Sequence, residues 1–483
     1  MRTGRRALQQ IEHTSVVCRR DLLKVGPLAV SASLWPSLLA PGIAQGSESP
    51  LAKAKSVIFL WMGGGVTQLE TFDPKPEAPV EVRGKLGTAA TSLPGVYFSE
   101  ACPQLAQIAH ELSVVRTFAH DSNDHLLSQV YTLSGRKVTP AQLFSEPNIG
   151  AIVQYLLGSR NGLPGYIAVP GITRPGPPPH NLFVGGWLGA QYAPFCLGGQ
   201  PAQPDFTAGL SAKPANPSPL AEESLAPPEL QFPQDVTIGR LERRSQLRTV
   251  LEQSAQAGEA SLVQAGLEGQ FDGALRLLTS TKVRNAFDIA QEPAALREDY
   301  GRTKLGGRCL VARKLVEAGA RFVMVDYGYD PDYGNLWDIH NVPEQRFPHT
   351  SDMALRGYNV AGMDRAFAAL IRDLKERGLL DTTLVVYLTE FGRTPKINAG
   401  GGRDHWGMCG SMFFAGAGVK AGQVVGQSDA QAAFPVTRGY GPADIAATMY
   451  HLLGIDPETR VRDTQGRPAP ALDHGNVIEE VLA

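Results

Sequence analysis

The segment Glu390-Phe391-Gly392-Arg393-Thr394-Pro395 is followed closely by Gly401-Gly402-Arg403-Asp404-His405-Trp406. A carboxylate, two arginines, an Asp-His pair and several glycines in so short a stretch suit a divalent metal and an anionic ligand. Glu390 can ligate a cation or act as a base. Arg393 is the candidate anion clamp, because a guanidinium forms two-pronged bonds to phosphate or sulfate oxygens. Asp404 and His405 add a second pair of candidate ligands. The plainer alternative is that Arg393 and Arg403 are structural partners of Glu390 and Asp404.

Three further clusters carry the same residue types. His120-Asp121-Ser122-Asn123-Asp124-His125 ends where a helical pattern begins. Partial positive charge at a helix start favours an anion and activates a nucleophile, so Asp124 and His125 are candidate catalytic residues. The competing reading is capping by Asn123 or Asp124. In Trp337-Asp338-Ile339-His340-Asn341, a carboxylate and an imidazole two apart can ligate one cation from a loop. The alternative there is a surface loop with a lone histidine. Gly63-Gly64-Gly65 lets backbone N–H groups approach an anion, and Asp73 beyond it is a further candidate ligand. A plain turn with an Asp-Pro stop explains that segment as well.

These clusters need a frame, and apolar runs supply it. Residues 56–61, 112–116, 321–327, 383–388 and 411–416 read as strands. Helical patterns fall at 103–110, 124–133, 147–157, with Pro147 in the first turn, 352–378 and 442–453. Strands alternating with helices predict an α/β fold with a mostly parallel central sheet and helices on both faces. Loops that follow the strands then open into the crevice beyond their carboxyl ends. Residues 170–235 are rich in Pro and Gly, and 239–318 turn helical. The block 170–320 is therefore expected to be a loop-rich and helical insertion in a single domain spanning 46–483.

Hydrophobic content of 43% with 19% charged residues is globular, and a net charge of −2 with no basic run gives no electrostatic case for a nucleic-acid partner, so none is expected. Arg19-Arg20-Asp21-Leu22-Leu23-Lys24, a short mildly apolar stretch and Gly42-Ile43-Ala44 form an export signal of the twin-arginine type over residues 1–45. The expected location is periplasmic or otherwise extracytoplasmic, with the twin-arginine machinery as a partner and no stable membrane span after cleavage. The alternative is an uncleaved anchor helix, which Pro27, Pro36 and Pro41 weaken. That route carries folded proteins, which fits a metal acquired beforehand. Cys102, Cys196, Cys309 and Cys409 are widely spaced, form no CxxC pair, and read as buried small residues, with one bridge allowed. There is no Gly-x-Ser-x-Gly and no P-loop, and the first strand is not followed by GxGxxG. Serine-hydrolase, nucleoside-triphosphatase and dinucleotide readings fall accordingly.

With Thr71-Phe72-Asp73-Pro74-Lys75-Pro76, Leu133-Ser134-Gly135-Arg136 and the clusters above, the chain resembles exported bacterial proteins of domain-of-unknown-function family 1501. That family is similar in turn to the alkaline phosphatase/sulfatase superfamily. The resemblance implies an alkaline-phosphatase-like fold. It implies that Asp338, His340, Glu390 and His405 are metal ligands, with Asp73 and Asp404 as further candidates. It places His125 where sulfatases carry their nucleophile, and with neither Cys nor Ser there it gives no basis for formylglycine chemistry. Gly63-Gly64-Gly65 stands where the superfamily has an aspartate, so that ligand is missing or comes from Asp73. The implied function is a metal-dependent hydrolase of phosphate or sulfate esters, using Zn, Ca, Mg or Mn. His125 would be nucleophile, acid or base, and Arg393 would hold the anion. A sulfated or phosphorylated glycan is one candidate substrate. The rival is a non-catalytic cell-envelope binding or assembly protein on the same scaffold, supported by the altered nucleophile position.

Overall fold

The computed structural model describes residues 52–171, 181–197, 225, 243, 281–330, 334–341 and 347–483. The segment read as an export signal lies outside them, as does most of the stretch between 172 and 280. The strands that matter for the site are β1 (Ser56–Met62), β2 (Leu112–Phe118), β3 (Tyr166–Val169), β4 (Phe195–Cys196) and β5 (Phe322–Asp326). They continue with β6 (Thr383–Thr389), β7 (Gly392–Arg393), β8 (His405–Trp406), β9 (Gly410–Gly416) and β10 (Gln423–Val425).

Eight of these form one sheet in the order β10-β2-β9-β6-β1-β5-β3-β4, while β7 and β8 make a separate two-stranded ribbon. Neighbours in the sheet are parallel except that β9 runs against both β6 and β2. The sheet is thus mostly parallel, as expected. β1, β5 and β6 are buried at every residue, which is why they read as unbroken apolar runs and not as alternating ones.

Helices α1 (His125–Ser134), α2 (Ile149–Leu157), α3 (Lys304–Ala318), α4 (Val360–Glu376) and α5 (Pro442–Leu452) surround the sheet. Adjacent strand residues point to opposite faces. Trp61 donates its indole N–H to Thr132 Oγ1 of α1 at 3.2 Å. Its neighbour Leu60 lies opposite Tyr387, whose ring meets Phe367 of α4 at 5.7 Å. α1 and α4 therefore cover opposite faces.

Three local readings change. The helix expected over 352–378 is two, Thr350–Ala354 and α4. The break lets the carbonyl of Gly357 press on the first turn of α4, where a Cβ on Gly362 would stand 1.9 Å from it. Pro147 precedes the N-cap Asn148 of α2 and is not in its first turn. Within the block read as an insertion, β4 belongs to the sheet, and α3 packs on β5, β1 and β3 with all but two of its residues buried. Among the described residues no helix is long and apolar enough to cross a membrane, and Cys102, Cys196, Cys309 and Cys409 are unbridged.

Candidate metal centre

β1, β5 and β6 end level with one another, Met62 opposite Thr389 and Trp61 opposite Asp326. β2 finishes at the same edge, with Phe118 opposite Gly410 at the start of β9. Each of these ends releases a loop into one crevice. Glu390 follows β6 directly. His125 opens α1 after β2, Asp338 and His340 lie in the loop beyond β5, and β8 carries His405.

The four side chains His125, Asp338, His340 and His405 each offer an atom within 4.8 Å of the others. Asp338 is the hub. Its Oδ1 lies 3.0 Å from Nε2 of His340 and 3.0 Å from Nε2 of His405, and its Oδ2 lies 3.1 Å from Nε2 of His125. His340 and His405 are both oriented from behind. His340 Nδ1 is 2.8 Å from Asp404 Oδ1, and His405 Nδ1 is 2.8 Å from the carbonyl of Asn123. An imidazole that donates from Nδ1 presents a lone pair at Nε2. The two Nε2 atoms are only 2.8 Å apart. Two lone pairs and a carboxylate oxygen at such spacing need a cation or a proton between them, so the donor set fits a divalent metal. Two imidazoles and one carboxylate suit zinc-like ions better than calcium or magnesium, which prefer oxygen-rich sites.

His125 is held differently. Its Nδ1 meets Glu390 Oε1 at 2.6 Å while Nε2 meets Asp338 Oδ2. Burial works against the charged ring, but Glu390 and Asp338 outweigh it and push its pKa up to about 9. Asp338 is half-buried, and although that burial opposes its charge, hydrogen bonds from His125, His340 and His405 and the charge of Arg393 hold its carboxyl far below the usual range. Its bond to Asp338 raises the pKa of His340 against partial burial, while burial lowers that of His405. Glu390 is fully buried, and its Oε2 has no hydrogen-bond partner, which leaves the charge of the carboxylate directed at His125.

Several expectations are corrected by this geometry. With a carboxylate on each ring nitrogen, His125 turns no free lone pair to the crevice, which counts against its reading as a nucleophile. Asp124 is exposed and caps α1, accepting from Leu127 N at 2.9 Å. Asp73 is not in the cluster; it pairs with Lys75 at 3.1 Å and Arg116 at 3.6 Å and accepts from Ser428. Glu390 and Asp404 stand behind histidines and are outside the group of four.

Arg393 is only 2% exposed and is no anion clamp. Its guanidinium donates to the carbonyls of Gly64, Gly65, Trp337 and Arg403 and to Asp338 Oδ1 at 2.9 Å. Gly64 and Gly65 accordingly turn carbonyls to an arginine and not N–H groups to an anion. Both sit at positive φ, and a Cβ on Gly65 would meet Phe391 at 2.5 Å. Arg403 is structural too, but its partner is buried Glu70, at 2.6 Å. Sequence reasoning passed over Asn123 as an orienting group for His405. Their contact joins a backbone carbonyl to a ring 282 positions away, and no local pattern announces it.

A family model described as "Protein of unknown function (DUF1501)" matches residues 54–482. No curated protein matches the sequence. Among solved structures, the chain is similar to a phosphonate monoester hydrolase of Agrobacterium radiobacter, with 14% identity over 88% of this chain and 77% of that one, at a TM-score of 0.36. It is also similar to the PsFucS1 sulfatase from Pseudoalteromonas sp., with 13% identity over 84% and 68% and a TM-score of 0.33. For the lipoteichoic acid synthase LtaP from Listeria monocytogenes the values are 10%, 84%, 73% and 0.32. Likenesses this loose carry no argument about chemistry.

Proposed function

The chain belongs to the DUF1501 family of proteins of unknown function, and on that premise we propose that it is an exported metal-dependent hydrolase of phosphate or sulfate esters. The observation that carries this reading is the pair of Nε2 atoms of His340 and His405, 2.8 Å apart and equidistant from Asp338 Oδ1. Asp338, His340 and His405 would hold the cation, with Asp404 orienting His340. A zinc-like ion bound there supplies Lewis acidity to an ester oxygen and lowers the pKa of water.

The chain's own residues supply the rest. His125, charged and fixed by Glu390, would pass the Nε2 proton it shares with Asp338 to a leaving oxygen, and Glu390 stabilises the ring in the orientation this transfer requires. Arg393 keeps the Asp338 carboxylate aimed at the two histidines. The charges of Asp338, Glu390 and Asp404 face those of His125 and Arg393, one positive charge short of balance. A divalent cation therefore leaves the crevice net positive, which matches an anionic ester such as a sulfated or phosphorylated glycan. The twin-arginine pattern at Arg19-Arg20 supports export to the periplasm or beyond.

Metal analysis of the purified protein, combined with aryl phosphate and aryl sulfate assays before and after chelation, tests the proposal. Stoichiometric metal and hydrolysis that falls to background in His340→Ala are expected. Absence of stoichiometric metal would defeat it. Stoichiometric metal with background hydrolysis in every assay would favour the rival, a binding or assembly protein without turnover.

A further inference from the structure

The turn between β2 and α1 does more than deliver His125. His120 donates its backbone N–H to the carbonyl of Gly407 at 2.8 Å. Asn123 Oδ1 accepts the N–H of Gly407 at 2.6 Å. The carbonyl of Asn123 then receives Nδ1 of His405 at 2.8 Å. On the other side, Ser122 N donates to His120 Nδ1 at 3.2 Å, which leaves the proton on Nε2. That Nε2–H donates to the carbonyl of Glu390 at 2.6 Å. One short turn thus grips the strand end that carries Glu390 and the ribbon end that carries His405, two residues before His125 itself.

Gly407 shows how closely the two segments meet. A Cβ there would stand 2.5 Å from the carbonyl oxygen of Ser122 and 2.6 Å from that of His120. Backbone atoms cannot yield as side-chain tips do, so any side chain at 407 must push the turn away. Asn123 is exposed. Burial does not explain what it does, whereas its two bonds to the 405–407 segment do.

We propose that Asn123 is a positioning residue that fixes the tautomer of His405 and thereby the strength with which the His340–His405 pair holds its cation. This rests on the metal reading above and adds a residue to it. The side-chain oxygen pins Gly407, which keeps the Asn123 carbonyl under His405 Nδ1. With that bond in place the Nε2 lone pair faces Asp338 and His340; without it the ring is free to flip or to change tautomer. Outer partners of ligating histidines typically change metal affinity by about 10- to 100-fold when removed.

The test uses the purified full chain. Zn²⁺ affinity is measured by calorimetry and Co²⁺ binding by visible absorption, alongside melting of the metal-free protein and ¹⁵N shifts of its imidazoles. Asn123→Ala is expected to weaken Zn²⁺ by about 10-fold or more, to shift the Co²⁺ spectrum, and to broaden or move the His405 Nδ1–H signal, with little change in melting. Asn123→Asp, which keeps an oxygen on Gly407 N–H, should restore affinity and signal. Gly407→Ala should reproduce the Asn123→Ala phenotype by displacing the turn. Wild-type affinity and an unchanged His405 signal in Asn123→Ala would overturn the proposal, as would a lowered melting point with affinity unchanged. Failure of the wild type to take up either ion would defeat the metal reading and the affinity part of this proposal with it, while the His405 signal would still decide whether Asn123 fixes the tautomer.

Discussion

His125 lies between two buried or half-buried carboxylates, and its proton is part of what holds the crevice together when no metal is bound. Burial opposes the charge, Glu390 and Asp338 outweigh it, and the folded pKa rises from 6.5 to about 9. A raised folded value means stability that is complete below pH 6.5 and is lost as pH climbs through about 9. Melting of chelator-treated wild type and His125→Gln across this window should show a gap that narrows with rising pH. A pH-independent gap would show that the carboxylates do not hold the proton. Arg393→Lys should lower stability by about 3 kcal/mol, because a single ammonium cannot serve four carbonyls and a carboxylate. Denaturant titration measures this, and a loss within error would refute the assignment of Arg393 as a structural plug. The residue types at 338, 340 and 405 could be read directly as candidate ligands. The role of Arg393 could not, because its partners are carbonyls at 64, 65, 337 and 403, and carbonyl direction leaves no trace in a string of side chains.

Elements place these residues, and their legibility followed their burial. β1, β5 and β6 were plain as apolar runs because both faces are covered. β4, of two residues, and β10, of three, are too short to rise above the loop composition around them. The division at residue 357 was hidden for another reason: the helical pattern runs on through a contact between two backbones. Gly362→Ala tests it. Alanine favours a helix by about 1 kcal/mol, but here the new Cβ would meet the Gly357 oxygen at 1.9 Å. A net destabilisation of about 2 kcal/mol is expected by analogy with overpacking. A more stable variant would mean the break is incidental.

For the whole molecule, the fold class and the meeting of four loops at one sheet edge were both foreseeable from alternation of strands and helices. Asp73 was misplaced because its distance from the crevice depends on where Ser428 and Arg116 lie, long-range facts that spacing does not encode. The proposed export would be a property of the chain as a unit. Replacing Arg19 and Arg20 by lysines should retain the protein in the cytoplasm, as read by fractionation against a compartment marker. Unaltered export would remove the twin-arginine assignment without touching the site.

β9, the one reversed strand among the described residues of the sheet, leaves its mark on the order of folding. Because it returns along β6, the stretch from 383 to 416 closes on itself and brings Glu390, Arg393, Asp404 and His405 together through contacts near in sequence. Asp338 must reach His405 across 67 positions, and His125 must reach Glu390 across 265. Contacts that distant form slowly, since their loop closures must be completed first. The sheet depends on closures at least as long, since Ser56 lies opposite Thr383, so in refolding with Co²⁺ colour should appear together with sheet assembly and not ahead of it.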